Sequence, residues 1–197
     1  MLLAVVAVVV ALVLLFHSHG KTTAGPPVPT VGPKVGNFAF TVRSVKAIPT
    51  GKTAHTGRRA KLAAPGIERT LDALYFTAFL DPAAWQSGNY GSAWKLFTSS
   101  AAPGARKQER TLTLGSGAGS RYDSVAAGKT GLFIRVLMDP AGRPSTAVAA
   151  VKFTATATQT TGGTTTISSV GDYYLTPRHR GWSISGYAVK LSGRKRK

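Results

Sequence analysis

Ile67–Asp81, IERTLDALYFTAFLD, is the stretch whose reading decides the fold. Ile67, Leu71, Leu74, Tyr75, Ala78 and Phe79 recur at offsets of three and four, which lines one face of a helix. Phe76 and Leu80 widen that stripe beyond what a surface helix needs, so other elements must wrap it. Pro65 and Gly66 are expected to stop earlier structure from running in. Glu68 and Asp72 then sit in the first turns, near the positive end of the helix dipole. Pro82 pushes Asp81 out of the helical region, which ends the helix there. Asp81 can cap a short following turn, with Pro82 at its first position. A second helical piece is expected over Ser92–Phe97, presenting Trp94 and Phe97. Core packing is the expected role of all these aromatics.

What wraps the helix must lie downstream, where the period switches to two. Leu132, Ile134, Val136 and Met138 share one strand face, with Phe133, Arg135 and Leu137 on the other. The turn Asp139–Pro144 leads to a strand with Ala147, Ala149, Val151, Phe153 and Ala155 on one face. Thr160–Gly163 is a further turn, followed by strands over Thr165–Leu175 and Trp182–Leu191. Short connections between successive strands imply an antiparallel meander. Small residues at Ala147, Ala149, Gly171 and Gly186 would let a strongly bent sheet lie close to a helix. Gly115–Ser120, GSGAGS, is flexible punctuation. No Gly-Lys-Ser/Thr follows it, so it is not a nucleotide loop.

Upstream of the helix the chain divides by composition. Met1–Phe16, MLLAVVAVVVALVLLF, is unbroken apolar sequence. At ~1.5 Å per residue it reaches about 24 Å, and 17–20 could extend it toward the roughly 30 Å of a hydrocarbon layer. A cleaved signal peptide would want a basic start, which is missing, although Thr22-Thr23-Ala24 is a tolerable cleavage site. An uncleaved anchor over 1–20 fits better. Taken literally, the positive-inside rule would leave the body in the cytoplasm. Its Thr-, Ser-, Gly- and Ala-rich, acid-poor composition favours export instead. Residues 21–36, with Pro26, Pro27, Pro29 and Pro33, form a semi-rigid linker. Over 37–64 we expect an extra strand, Asn37–Ala47, pairing with a sheet edge or with a partner. A basic loop from Thr50 to Ala64 follows it. The main domain then covers 65–191 and a basic tail 192–197.

The 197 residues carry 25 Lys+Arg against 7 Asp+Glu, a formal charge of +18. That excess favours anionic surroundings. The candidate anion-binding residues are Arg58, Arg59 and Lys61 in the loop and Arg194, Lys195, Arg196 and Lys197 in the tail. Near a membrane each is worth about 1 kcal/mol. The absence of cysteine excludes disulfides and thiolate zinc sites. His17 and His19 form an H-x-H pair, but a metal site needs three or four ligands. His55 and His179 stand in no motif. No metal and no cofactor is expected.

The stretches LDALYFTAFLDPAAW at 71–85, GLFIRVLMDPAGRP at 131–144 and GDYYLTP…GWSISGYAV at 171–189 fit one pattern. N-terminal helices followed by a four-strand meander resemble the nuclear transport factor 2-like, or cystatin-like, fold. There an antiparallel sheet curls around the long helix into a cone. The strand at Asn37–Ala47 lies outside that pattern. With a single anchor and a linker, the whole is similar to the Mce-associated membrane proteins and to bitopic assembly subunits of conjugative and type IV secretion machines. The resemblance implies an α+β domain on a transmembrane helix, with four or more strands in its curved antiparallel sheet. It places the protein in a bacterial cell membrane, single-pass, with the domain on the extracytoplasmic side.

Enzymes on this fold put an acid or histidine inside the cone. Here Glu68 and Asp72 read as helix-start charges and Asp139 as a turn residue. Asp81 and Asp123 fall at element ends. Asp172, beside Tyr173 and Tyr174, could instead face a cavity or point outward. No Ser-His-Asp set, carboxylate pair or cysteine nucleophile is evident. The expected role is a non-catalytic interaction or assembly domain of an envelope complex. Its expected partners are the membrane, other envelope proteins, and anionic lipid or wall polymer, with homo-oligomerisation open. The alternative is a small-molecule or lipid pocket in the cone, lined by Tyr75, Phe79, Asp172 and Tyr174. Nucleic acid is disfavoured, because no aromatic-basic module is present.

Overall fold

Ala60 and Ala64 carry the apolar stripe of the long helix back past Pro65, and the helix follows them. The computed structural model describes residues 38–51 and 55–195, and in it α1 runs Thr56–Tyr75 with Pro65 inside. The break expected at Pro65–Gly66 is absent, and the basic loop expected to Ala64 is helical from Thr56. Proline in a helix interior costs about 3 kcal/mol. Burial of Ala60, Ala64, Ile67, Leu71, Leu74 and Tyr75 along one face outweighs that cost. Pro65 itself is exposed, so water can meet the carbonyl it leaves unpaired one turn back. Gly66 has a packing reason: a Cβ there would lie 2.9 Å from the Trp182 ring.

Glu68 and Asp72 therefore sit in the body of the helix, and its first turn holds no acid. Asp72 is instead a buried acceptor, 8% exposed, taking the Phe40 backbone N–H at 2.9 Å. Burial pushes its carboxyl up from 3.8 to about 6, the Phe40 bond opposing and Glu68 adding to the rise. The unfolded chain loses this proton first, so stability falls as pH rises through the window between those two values. Above it the cost is complete, about 2 kcal/mol once partial solvation is allowed for. Asp72→Asn keeps an acceptor for Phe40 but cannot ionise. Near neutral pH it should gain about 1–2 kcal/mol in urea unfolding and lose the slope between about pH 4 and 6. An unchanged slope would show that another group carries it.

After α1 the chain makes a π turn, Phe76–Leu80, closed by Asp81 N–H donating to the Phe76 carbonyl at 2.8 Å. Asp81 then accepts from Ala83 N–H at 3.0 Å and starts α2 (Pro82–Ser87), with Pro82 in its first turn, as expected. Three short helices follow: α3 (Gly91–Trp94), α4 (Ala102–Lys107) and α5 (Glu109–Leu112). Trp94 and Phe97 are buried.

The meander is present as β2 (Tyr122–Met138), β3 (Pro144–Gln159), β4 (Thr164–Arg178) and β5 (Gly181–Lys195). Consecutive strands pair antiparallel. The sheet has a fifth member: β1 (Val42–Pro49) lies on its edge parallel to β2, so the sheet is mixed rather than wholly antiparallel. A parallel neighbour needs a long crossover, and everything from 50 to 121 supplies it. Beside the opposite edge, Ile184 N–H donates to the Leu96 carbonyl at 2.9 Å and Thr98 N–H to the Ile184 carbonyl at 2.8 Å. Those bonds cover part of an otherwise open strand.

The sheet bends over α1. Flat, its edge strands would stand about 19 Å apart, yet the same two helical turns reach both sides. The Thr70 hydroxyl lies 3.3 Å from the Trp182 carbonyl at the start of β5, and Asp72 holds Phe40 just ahead of β1. Register shifts inside β2 and between Tyr174 and Leu175 of β4 supply local twist. Gly171 is needed for the close approach of β4 to the β5 backbone, not to the helix. With φ at 153°, a Cβ would fall 2.2 Å from the Ala188 carbonyl oxygen.

Among the described residues no helix is long and apolar enough to cross a membrane. The expected anchor, the linker and the His17–His19 pair lie outside the described residues.

Candidate functional site

The hollow that a bent sheet leaves under its concave face is filled with rings. Phe153 of β3 sits at the centre, with centroids 5.0 Å from Tyr75, 5.2 Å from Phe79, 5.9 Å from Phe38 and 6.4 Å from Phe40. Tyr75, Phe79 and Phe153 are all at most 1% exposed. The polar ends are matched internally: the Tyr75 hydroxyl pairs with the Ser169 hydroxyl at 2.8 Å, and the Tyr173 hydroxyl donates to Tyr75 at 3.4 Å. Burial raises the Tyr75 phenol from 10.0 to about 12 against the pull of those two bonds. Burial also drives Tyr173 well above its ordinary value, and the neighbouring Tyr75 adds to the rise.

The four residues expected to line one pocket are thereby split. Tyr75 and Phe79 belong to the ring cluster. Asp172 and Tyr174 alternate with buried Tyr173 and point to the opposite side of the sheet. The alternation that puts Tyr173 inside forces its neighbours out. Asp172 lies in register with Ala150 and Ala188, with Phe133 opposite Ala150 on β2.

That outer face carries exposed apolar side chains. Phe133 (36%) on β2 and Val170 (46%) and Tyr174 (40%) on β4 are exposed, on either side of β3. Exposed Arg43, Lys129, Arg135, Lys152 and Lys190 accompany them. Lys152 lies 5.8 Å over the Phe133 ring. A shallow hollow of about 340 Å³ opens between Arg43, Lys129, Phe133, Lys152 and Val170. Outward Phe133 and Arg135 are legible from strand alternation, but their exposure depends on nothing else packing there.

The basic residues singled out by charge separate as well. Arg59 is occupied structurally, donating to the carbonyls of Ala141 and Gly142 at 3.0 and 2.8 Å and fastening α1 to the β2–β3 turn. Arg58 and Lys61 are exposed on α1 beside Leu62, which is 72% exposed. Arg194 and Lys195 extend β5 by pairing with Thr166 and Thr165, whereas Arg196 and Lys197 lie outside the described residues.

A second concavity was not anticipated. It holds about 600 Å³ and lies between α5, the 113–121 loop and the ends of β4 and β5. Arg110 and Arg121 stand at its wall, over a floor of Leu114, Ile167 and Leu191. A neighbouring hollow of about 420 Å³ shares Ser120, Arg121, Tyr122 and Gly193 with it. Within the described residues no three His, Cys, Asp or Glu side chains gather into a metal-binding group, and the sole ion pair is Arg143–Asp139 at 3.2 Å. No protein-family model matches this chain, and no curated protein or solved structure matches it either.

Proposed function

We propose that this chain is a non-catalytic, membrane-anchored interaction domain that helps assemble a bacterial cell-envelope complex, and that its outer sheet face is the docking surface. The observation that carries the reading is an inversion of roles between the two sheet faces. The centre of the concave face, where a cone-shaped carrier or enzyme would hold its ligand, is packed with Phe153, Tyr75 and their neighbours, and space remains only at its end, over Ile167 and Leu191. The outer face is left bare, with Phe133, Val170 and Tyr174 exposed. A bent sheet over a long helix agrees with the nuclear transport factor 2-like pattern, and β1 is an addition to it. The apolar run at Met1–Phe16 supports the anchor, and the Pro-rich 21–36 supports a spacer that lifts the domain from the bilayer.

The occupant of the outer face is a protein of complementary build: an apolar centre with an acidic rim. The face itself offers aromatic and aliphatic anchors among Arg43, Arg135, Lys152 and Lys190, against one acid, Asp172. A photo-crosslinking residue placed in the full-length protein in its own membrane tests this. Positions 133 and 174 should capture the same protein, position 86 on α2 should not, and Arg135→Glu should weaken capture several-fold. Equal capture from 86, or capture indifferent to Arg135→Glu, would overturn the assignment.

A further inference from the structure

The groove between α5 and the end of β5 goes beyond that docking role. We propose that it is a binding site for a phosphate-bearing amphiphile, with the phosphate held between Arg110 and Arg121 and the apolar portion on Leu114, Ile167 and Leu191.

Arg121 is the first reason. Its Nη2 donates to the Leu114 carbonyl at 2.6 Å and its Nε to the Gly117 carbonyl at 3.1 Å. The guanidinium also lies 5.3 Å from the Tyr122 ring centroid. Two carbonyls and a ring hold the fork in place, but neither carbonyl cancels its charge. Its Nη1 donors have no partner among the described residues. Ordering a long side chain normally costs binding energy, and here the fold has already met that cost.

Arg110 is the second. It is exposed, and its side chain makes no hydrogen bond or ion pair among the described residues. The two side chains flank Gly115: a Cβ there would stand 3.5 Å from Arg110 Cγ, on its aliphatic stem, and 4.0 Å from Arg121 Nη2. Gly115, with φ at 77°, leaves that space open. No carboxylate lines either hollow; the neighbouring acids Glu109 and Asp123 are not among the lining residues. The chain also runs on from Gly193, in the wall of both hollows, into Arg194, Lys195, Arg196 and Lys197.

The chemistry of the ligand follows from these donors. Two guanidinium groups on different elements, with Ser116 and Ser192 alongside, suit a tetrahedral anion that accepts from several directions. A planar carboxylate would be satisfied by one fork. The volume of about 600 Å³ falls in the range of small-ligand sites. Its apolar floor adds an aliphatic or acyl portion to the ligand. A phospholipid headgroup with the start of its chains and a free phosphate ester share the phosphate chemistry, and the floor is what separates them.

The full chain in phosphatidylcholine nanodiscs can be titrated with glycerol phosphate, short-chain phosphatidylglycerol or short-chain phosphatidylcholine. Melting temperature and the Arg121 Nε–H resonance are the readouts. Phosphatidylglycerol should raise the melting temperature and shift that resonance, whereas phosphatidylcholine should do neither. Arg110→Glu should cost about tenfold or more in affinity with the unliganded melting temperature unchanged. Arg121→Lys should weaken binding too, since it keeps the charge and loses the fork. Tighter binding of short-chain phosphatidylglycerol than of glycerol phosphate assigns the lipid, and equal binding assigns a free phosphate ester. Absence of binding by either probe, or binding untouched by Arg110→Glu, overturns the site and leaves only the diffuse +18 charge.

Discussion

Replacing Phe153 by alanine is expected to remove about 3–5 kcal/mol of stability. Phe153 is fully buried and its ring lies within contact of four others drawn from three separate parts of the chain. Phe38 and Phe40 come from the segment before β1, Tyr75 from the end of α1 and Phe79 from the π turn. No single element can move in to refill the space, so the cavity term adds fully to the lost transfer energy. Domains of this size hold about 5–15 kcal/mol in total, so the variant should be marginal. Urea unfolding followed by the fluorescence of Trp85, Trp94 and Trp182 measures it. Phe153→Leu, which keeps most of the volume, should lose less than about 1.5 kcal/mol. A loss below about 1 kcal/mol for the alanine variant would mean that the rings are not packed together.

How much of this was legible in the sequence depends on which force decides each element. The stripe from Ile67 to Phe79 and the alternation in β2 and β3 are dictated by burial on one face, and burial dominates locally, so both read correctly. Asp81-Pro82 read correctly because its chemistry is complete within three residues. Pro65 misled because its local penalty is real but smaller than the packing of Ala60 and Ala64, two residues whose apolar character is faint. Asp72 misled because its partner, the Phe40 amide, lies 32 residues away. The pairing of β1 with β2 had no local signal, since strand residues such as Val42 and Val45 fit a parallel or an antiparallel neighbour equally well. The helices at 102–112 are short and begin without side-chain caps. The candidate sites were harder still. Tyr75 and Asp172 are both plausible pocket residues until the parity of β4 places Tyr173 inside. Arg121 is one basic residue among many until its fork is seen pinned to two loop carbonyls.

The two faces of the sheet bear directly on function. Under the middle of the sheet every large side chain already has a neighbour, and the concave side opens only at its end, where Ile167 and Leu191 floor the groove. The surfaces proposed for recognition are the outer face and the groove at Arg110 and Arg121. Both are basic, in keeping with the formal charge of +18. They use different residues, so loss of one should spare the other.

Alkaline titration of the tyrosines tests most directly whether the space under the sheet is solid and dry. Absorbance of the native protein, compared with Tyr75→Phe and Tyr173→Phe variants, isolates the buried pair, with far-ultraviolet dichroism reporting that the fold persists. Tyr75 should ionise near about 12, against an ordinary 10.0, and Tyr173 should also ionise well above 10.0. At about pH 11 only roughly a tenth of Tyr75 would then be phenolate. Ionisation of both phenols close to 10.0 would instead put water among the rings, and the interior would have to be regarded as a ligand cavity after all.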